Sequence, residues 1–307
     1  MENNEFILID DSYCKKSLQG GLVVPEINKE DGFILHQERI ELIPSYHSDH
    51  TEAFRLYYRS DGLKVVGFIV KPKEMTGKAP LLIYNRGGAE NRSLIETRHL
   101  STFFSFLARK GYVVIASQYR GNDGGEGYDR WGGDDINDVL NLVNVARQLP
   151  YVDIERKVML GQSRGGLMTY LAIRKPLDLR AAVIMSGPTD LVDLYHKRDK
   201  EMKKILERLV GKPNIDVDEY KLRSPIEWAD EINVPLLIIH GRNDKMVPVE
   251  QVREFVQNLK VLNKDYKYVE YPNGDHYLRD EWNEVRNEII EFFNNNLEQS
   301  MRLPQER

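Results

Sequence analysis

The sequence predicts an α/β protein built on one mostly parallel sheet with helices on both faces. Three observations carry this. Six short, uninterrupted apolar runs recur along the chain: Pro80–Asn85, Tyr112–Ala116, Lys157–Leu160, Ala181–Met185, Pro235–Ile239 and Tyr266–Tyr271. Such runs suit strands buried on both faces. Helical patterns lie between them, and strand–helix alternation implies parallel pairing through crossovers. Ahead of them, two β-rich runs at 52–59 and 63–70 meet at Ser60-Asp61-Gly62, a hairpin signal, so antiparallel strands open the sheet.

The elements follow in order. Residues 1–36 are mixed, with turn signals at Gly20-Gly21 and Asp31-Gly32, and read as an N-terminal arm; residues 37–307 read as one domain. Residues 38–43 alternate, which suits a half-exposed strand. Residues 99–110 are helical and end at Gly111. Residues 134–149 place Ile136, Val139, Leu140 and Val143 on one face and stop at Pro150. Helices are also expected over 164–174, 249–262 and 281–297. Residues 187–232 exceed what one crossover helix needs. They are charged and helical over Leu191–Val210 and Asp218–Glu231, and read as a cap or lid above the sheet.

Charge excludes several roles. Lys plus Arg is 43 against 48 for Asp plus Glu, a net −5 over 307 residues. Nucleic-acid binding needs clustered cations, and the locally basic stretch from His196 to Lys204 reads as the wet face of a helix. No segment approaches the ~18–20 apolar residues of a membrane span. The N-terminus carries acids where a secretory leader carries Lys or Arg, so a cytoplasmic protein is expected. The single cysteine, Cys14, reads as an incidental thiol.

The chemistry concentrates at Gly161-Gln162-Ser163-Arg164-Gly165-Gly166, a Gly-x-Ser-x-Gly between an apolar strand and a helix. That context suits a nucleophile elbow. The chain must turn sharply to lift the serine Oγ off the sheet edge, so Gly161 and Gly165 must lack a Cβ and Gly166 lets the helix pack closely. The plain alternative is an N-cap serine in a Gly-rich turn. A nucleophilic serine needs a base, and the base needs a carboxylate. The strand 235–239 leads to Asp244, and the last strand leads through Gly274-Asp275 to His276. Ser163, Asp244 and His276 thus stand in the expected order at three strand ends. Asp275 is a weaker candidate acid, because an adjacent side chain usually points elsewhere. Asp153 reads as structural. His240 reads as turn-stabilising, His99 starts a helix, His196 lies in the cap, and His47 and His50 with Asp49 make a poor metal set. No metal or organic cofactor is called for.

An oxyanion needs donors. The Arg164 N–H, at a helix N-terminus, is one. The loop Asn85-Arg86-Gly87-Gly88 offers the second, with Gly88 preferred over Gly87 and the Arg86 guanidinium as a weaker option. Trp131, Tyr128, Tyr195 and Met246 lie where they could line a pocket.

Together these motifs resemble the catalytic domain of the prolyl oligopeptidase (S9) family. The resemblance rests on Arg59–Pro72, Asn85-Arg-Gly-Gly88, Tyr119–Gly124, Asp135 with Asp138, Val152-Asp153, Gly161–Gly166, Ser224-Pro225, His240-Gly241 with Asp244 and Val247-Pro248, and Gly274-Asp-His276. It implies an α/β-hydrolase fold with a mostly parallel eight-stranded sheet and a short helical cap. It also implies a serine peptidase acting on small peptides or acyl-amino-acid bonds, with a carboxylesterase on small acyl esters as the alternative. About 50 residues precede the core, so the family's β-propeller, with its amino-terminus-binding glutamates, is expected to be lacking. Arg86-Gly-Gly-Ala replaces the usual His-Gly-Gly-Pro or Tyr-Gly-Gly, which removes a tyrosine oxyanion donor. A non-catalytic binding protein on this fold would show a broken triad; none of the three positions is broken. The expected partner is a small peptide or ester, and a homo-oligomer stays open.

Overall fold

The β-rich runs pair into a single sheet of nine strands in a computed structural model that describes residues 31–302. The strands are β1 (Ile34–Ile40), β2 (Thr51–Ser60), β3 (Leu63–Pro72), β4 (Ala79–Asn85), β5 (Val113–Ser117), β6 (Val152–Gln162), β7 (Ala181–Met185), β8 (Leu236–Gly241) and β9 (Tyr266–Tyr271). Their order is β1-β2-β3-β5-β4-β6-β7-β8-β9. Three neighbouring pairs, β1–β2, β2–β3 and β3–β5, are antiparallel, and the other five are parallel. Cys14 and most of the N-terminal arm lie outside the described residues.

Nine strands replace the eight that the resemblance implies. The half-exposed strand expected over 38–43 is β1, which runs from Ile34 to Ile40. It sits on the sheet edge with most of its side chains in solvent. Backbone pairing to β2, from Ile34↔Tyr58 to Ile40↔Ala53, fixes it. Hydrophobic alternation reports burial of a face, so it places poorly a strand that buries little. β6 begins at Val152, well before the apolar run at 157, and a register shift between Pro80 and Leu81 of β4 absorbs its polar start.

Two apolar layers flank the sheet. Leu81 and Ile83 of β4, Met159 of β6 and Ile184 of β7 join one layer with Leu167 and Tyr170. Leu82, Val158 and Val183, one residue out of phase, join the other with Phe104 and Phe293. This period-two split is what a sheet covered on both sides requires.

The helix expected over 99–110 is a run of α1 (Thr97–His99), a π-helical turn (Leu100–Phe104) and α2 (Ser105–Arg109). The one expected over 134–149 breaks at Asn141 into α3 (Ile136–Leu140) and α4 (Leu142–Arg147), where the Asn141 amide donates to Ser60 Oγ at 3.0 Å. Next come α5 (Arg164–Ile173), α6 (Leu191–Lys197), α7 (Lys200–Leu209), α8 (Val217–Leu222), α9 (Val249–Val261) and α10 (Trp282–Arg302). Asp190 and Asp199 cap α6 and α7 by accepting from Asp193 N and Met202 N. No helix among the described residues is long and apolar enough to cross a membrane.

Candidate active site

β6 ends at Gln162 and α5 begins at Arg164, so Ser163 alone makes the turn, at φ 56° and ψ −124°. A side-chain-bearing residue held there stores roughly 1–3 kcal/mol of strain. The surrounding glycines make the turn possible. A Cβ on Gly161 would strike the Gly165 carbonyl and Thr169 Oγ1, and one on Gly165 would strike the Asn85 carbonyl. The Ser163 N–H is held by the Met185 carbonyl at 2.8 Å.

The acid and the histidine come from loops after β8 and β9 that interlock. Arg242 N donates to Tyr271 O and Asn243 N to Gly274 O, both at 2.9 Å. That approach brings Asp244 Oδ2 to 2.7 Å from His276 Nδ1. Asp244 Oδ1 accepts from Met246 N at 2.7 Å and Val247 N at 2.9 Å. Burial works against the charge on Asp244. Hydrogen bonds from His240 and His276 outweigh it and hold the carboxyl well below the usual carboxylate range. An ionised acceptor draws the Nδ1 proton of His276 and leaves the Nε2 lone pair free.

Ser163 and His276 line one cavity of about 510 Å³, together with Gly87, Gly88 and Arg164. Gly87 packs against the serine: a Cβ there would lie 3.2 Å from Ser163 Cβ and 3.8 Å from its Oγ. Gly88 follows at φ +74°. Neither N–H has a hydrogen-bond partner among the described residues. Arg86 does not serve as a donor to the cavity centre. Its five N–H bonds end on backbone carbonyls of Gln118, Gly87, Arg92 and Glu90 at 2.8–3.1 Å. It therefore pins the loop that carries the glycines. Burial, with Arg164 nearby, lowers its pKa to about 10.

Sequence reasoning missed what surrounds the Arg164 side chain. Its guanidinium is fully buried and bridges Asp129 (2.6 and 2.7 Å) and Asp135 (2.6 Å). It also lies over the rings of Tyr119 and Trp131, at 4.8 and 5.0 Å. Burial opposes the Asp129 charge, but Arg164 overcomes this and lowers its pKa to about 2. Asp135 is shifted upward, because burial outweighs the same partner. The arginine directly after the serine and the acid at 135 were the available signals.

The competing residues lie elsewhere or do other work. Asp275 Oδ1 accepts from Tyr277 N at 2.8 Å and Oδ2 faces Arg279, so its carboxylate braces its own turn. Asp153 pairs with Arg156 at 2.7 Å. His240 does hold its turn, with Nε2 2.9 Å from Val247 O, but it also sits 3.3 Å from Asp244 Oδ2. That second contact went unforeseen. His47 stacks edge-on against Tyr46 and Phe106. Trp131, Met246 and His99 line the cavity, whereas Tyr128 and Tyr195 do not.

The prolyl oligopeptidase family profile matches residues 98–300, a span holding Ser163, Asp244 and His276 but not the Gly87-Gly88 loop. A Bacillus subtilis protein named uncharacterized peptidase YtmA is 31% identical over 75% of this chain and 88% of its own length. A probable carboxylic ester hydrolase, LipM of Mycobacterium tuberculosis, is 28% identical over 66% of this chain and 50% of its own. The Pyrococcus horikoshii acylaminoacyl peptidase structure superposes with a TM-score of 0.64 at 25% identity, covering 74% of this chain and 38% of the archaeal one. The family profile spans most of the chain and YtmA is matched over nearly its whole length, so the chain belongs to the prolyl oligopeptidase family of serine hydrolases.

Proposed function

We propose that Ser163 attacks an acyl carbonyl while His276 takes its proton and Asp244 holds the imidazole and stabilises its charged form. The Arg164 and Gly88 N–H groups receive the oxyanion. The leaving group departs with the proton returned from His276, and water, activated by the same imidazole, hydrolyses the acyl-enzyme. Residues 187–232 serve as the cap, since Leu194, Arg198, Met202 and Ile205 line the same cavity. The observation that carries the reading is the 2.7 Å Asp244–His276 contact beside a serine held at positive φ on one cavity.

The substrate is read as a small peptide or acyl-amino-acid bond, supported by the likeness to the acylaminoacyl peptidase structure. A carboxylesterase is the second reading, supported by the likeness to LipM. The setting is read as cytoplasmic, with no nucleic-acid partner. A fluorophosphonate should label wild type at Ser163 and leave Ser163→Ala unlabelled. Turnover of aryl esters and peptide anilides sharing one acyl part then separates the two readings: indifference to anilides removes the peptidase. A folded wild type that takes no label removes the mechanism.

A further inference from the structure

The wall of the cavity at Ser163 is electrostatically one-sided. Among the described residues no Asp or Glu side chain lines this cavity, and four arginines do. Three of the four are spoken for. Arg86 is saturated by carbonyls, and Arg164 is neutralised by Asp129 and Asp135. Arg92 pairs with Glu201 at 2.8 Å in solvent.

Arg198 is different. It ends α6 on the cap, and its side chain is only 15% exposed. Nη1 donates once, to the Met246 carbonyl at 2.9 Å. The nearest carboxylate, Asp199, stands 3.8 Å from Nη2, is itself 64% exposed, and spends Oδ1 capping Met202 N. Nε and Nη2 thus have no close acceptor among the described residues. The neighbouring wall is apolar, with Leu194, Met202, Ile205 and Met246. A guanidinium with spare donors beside apolar surface favours a planar anion, which it grips through two parallel bonds. Its place is close to the chemistry: Met246, whose carbonyl it holds, gives its N–H to Asp244 Oδ1.

We propose that Arg198 forms an anion subsite in this cavity and selects substrates whose acyl part ends in a carboxylate, over neutral ones and over those with a free ammonium. This rests on the hydrolase reading for turnover, but not for binding. Among the described residues no carboxylate lines the wall to receive a free amino terminus, so acidic acyl groups gain while cationic ones are repelled.

The test compares the 4-nitrophenyl monoester of glutarate with its uncharged isostere, the 4-nitrophenyl ester of glutaramate, using Ser163→Ala as the blank for spontaneous hydrolysis. Wild type should favour the glutarate ester in kcat/KM by about tenfold or more. Arg198→Met should collapse that ratio to about one, Arg198→Lys should keep part of it, and Arg198→Glu should invert it. A wild-type ratio near one, or equal losses on both esters in Arg198→Met, overturns the subsite; equal losses would mean that Arg198 acts only through Met246. A second readout needs no turnover: millimolar glutarate, but not glutaramate, should raise the melting temperature of Ser163→Ala and fail to do so once Arg198→Met is added. Glutarate binding with neither ester turned over would keep the subsite and sink the hydrolase reading.

Discussion

The guanidinium of Arg164 donates to the carbonyl oxygen of Gly88 at 3.0 Å, so the residue after the serine also fixes the backbone that faces it. The same side chain bridges Asp129 and Asp135 beneath α5. One arginine thereby orients two strand-end loops relative to each other. Arg164→Met leaves two buried acids without their cation, and breaking a buried pair from one side costs about 3–5 kcal/mol. A lowered melting temperature and a lowered kcat on an aryl ester are expected together. Adding Asp129→Asn to Arg164→Met should recover part of the stability and none of the kcat, since the Gly88 anchor is still missing. Recovery of both would show that Arg164 acts on stability alone.

Asp244 is held ionised far below the range where an imidazole titrates, by His240 and His276 acting against burial. Asp244 therefore stays charged as pH falls. The acid limb of kcat/KM should have unit slope, reporting one proton. Asp244→Asn should lower kcat by about 10³–10⁴-fold, because the amide favours the wrong tautomer. His240→Gln removes one of the groups that sustain the Asp244 charge and should give a smaller loss. A limb of slope two would mean that the pair titrates together.

The placement of Ser163, Asp244 and His276 at strand ends was legible in the sequence because each is tied to a local pattern that sterics enforces. Gly161 and Gly165 are required by a turn that no Cβ can enter, and Gly241 is required where its loop meets the Gly274 carbonyl. Five core strands were legible for a similar reason: burial on both faces leaves an unbroken apolar run, whereas β9 lies half-exposed on the sheet edge. What escaped was fixed by contacts between distant segments. The bounds of β1, expected at 38–43 and found at Ile34–Ile40, are set by backbone pairing, with little burial to mark them. Arg164 meets Asp129 across 35 residues, and nothing in the spacing of a lone acid announces a buried partner. Arg86 looked like a donor for the reaction because its four carbonyl acceptors become visible only when the loop closes around it.

Glu270, on β9, accepts from Arg242 at 2.7 Å, from Arg253 at 2.7 and 2.8 Å, and from Tyr268 at 3.0 Å. The Arg253 bond is the largest influence and brings its pKa from 4.5 down to about 2. The folded value lies below the unfolded one, so the contribution to stability is full above about 4.5 and is lost as pH falls towards 2. Arg242 and Arg253 are half in solvent, which screens the pairs to about 1 kcal/mol. Glu270→Gln should lower stability by about that amount at neutral pH and flatten the loss between those two pH values. Urea unfolding at several pH values measures this; parallel curves for the two proteins would assign the acid sensitivity to other groups.

Two surface ion pairs join α7 to the loop that carries Gly87 and Gly88: Arg92 with Glu201 at 2.8 Å and Arg208 with Glu90 at 2.7 Å. All four side chains are largely exposed, so each pair is worth about 0.2–1 kcal/mol and weakens with salt. That is too little to hold the fold together but enough to bias where α7 sits against that loop. For a neutral ester, where charge on the substrate plays no part, raising the salt should change KM in wild type while the melting temperature stays nearly constant. The Glu201→Gln, Arg208→Gln double variant should show the high-salt KM at every salt concentration. If it keeps the wild-type salt dependence, these two ion pairs are not what salt acts on.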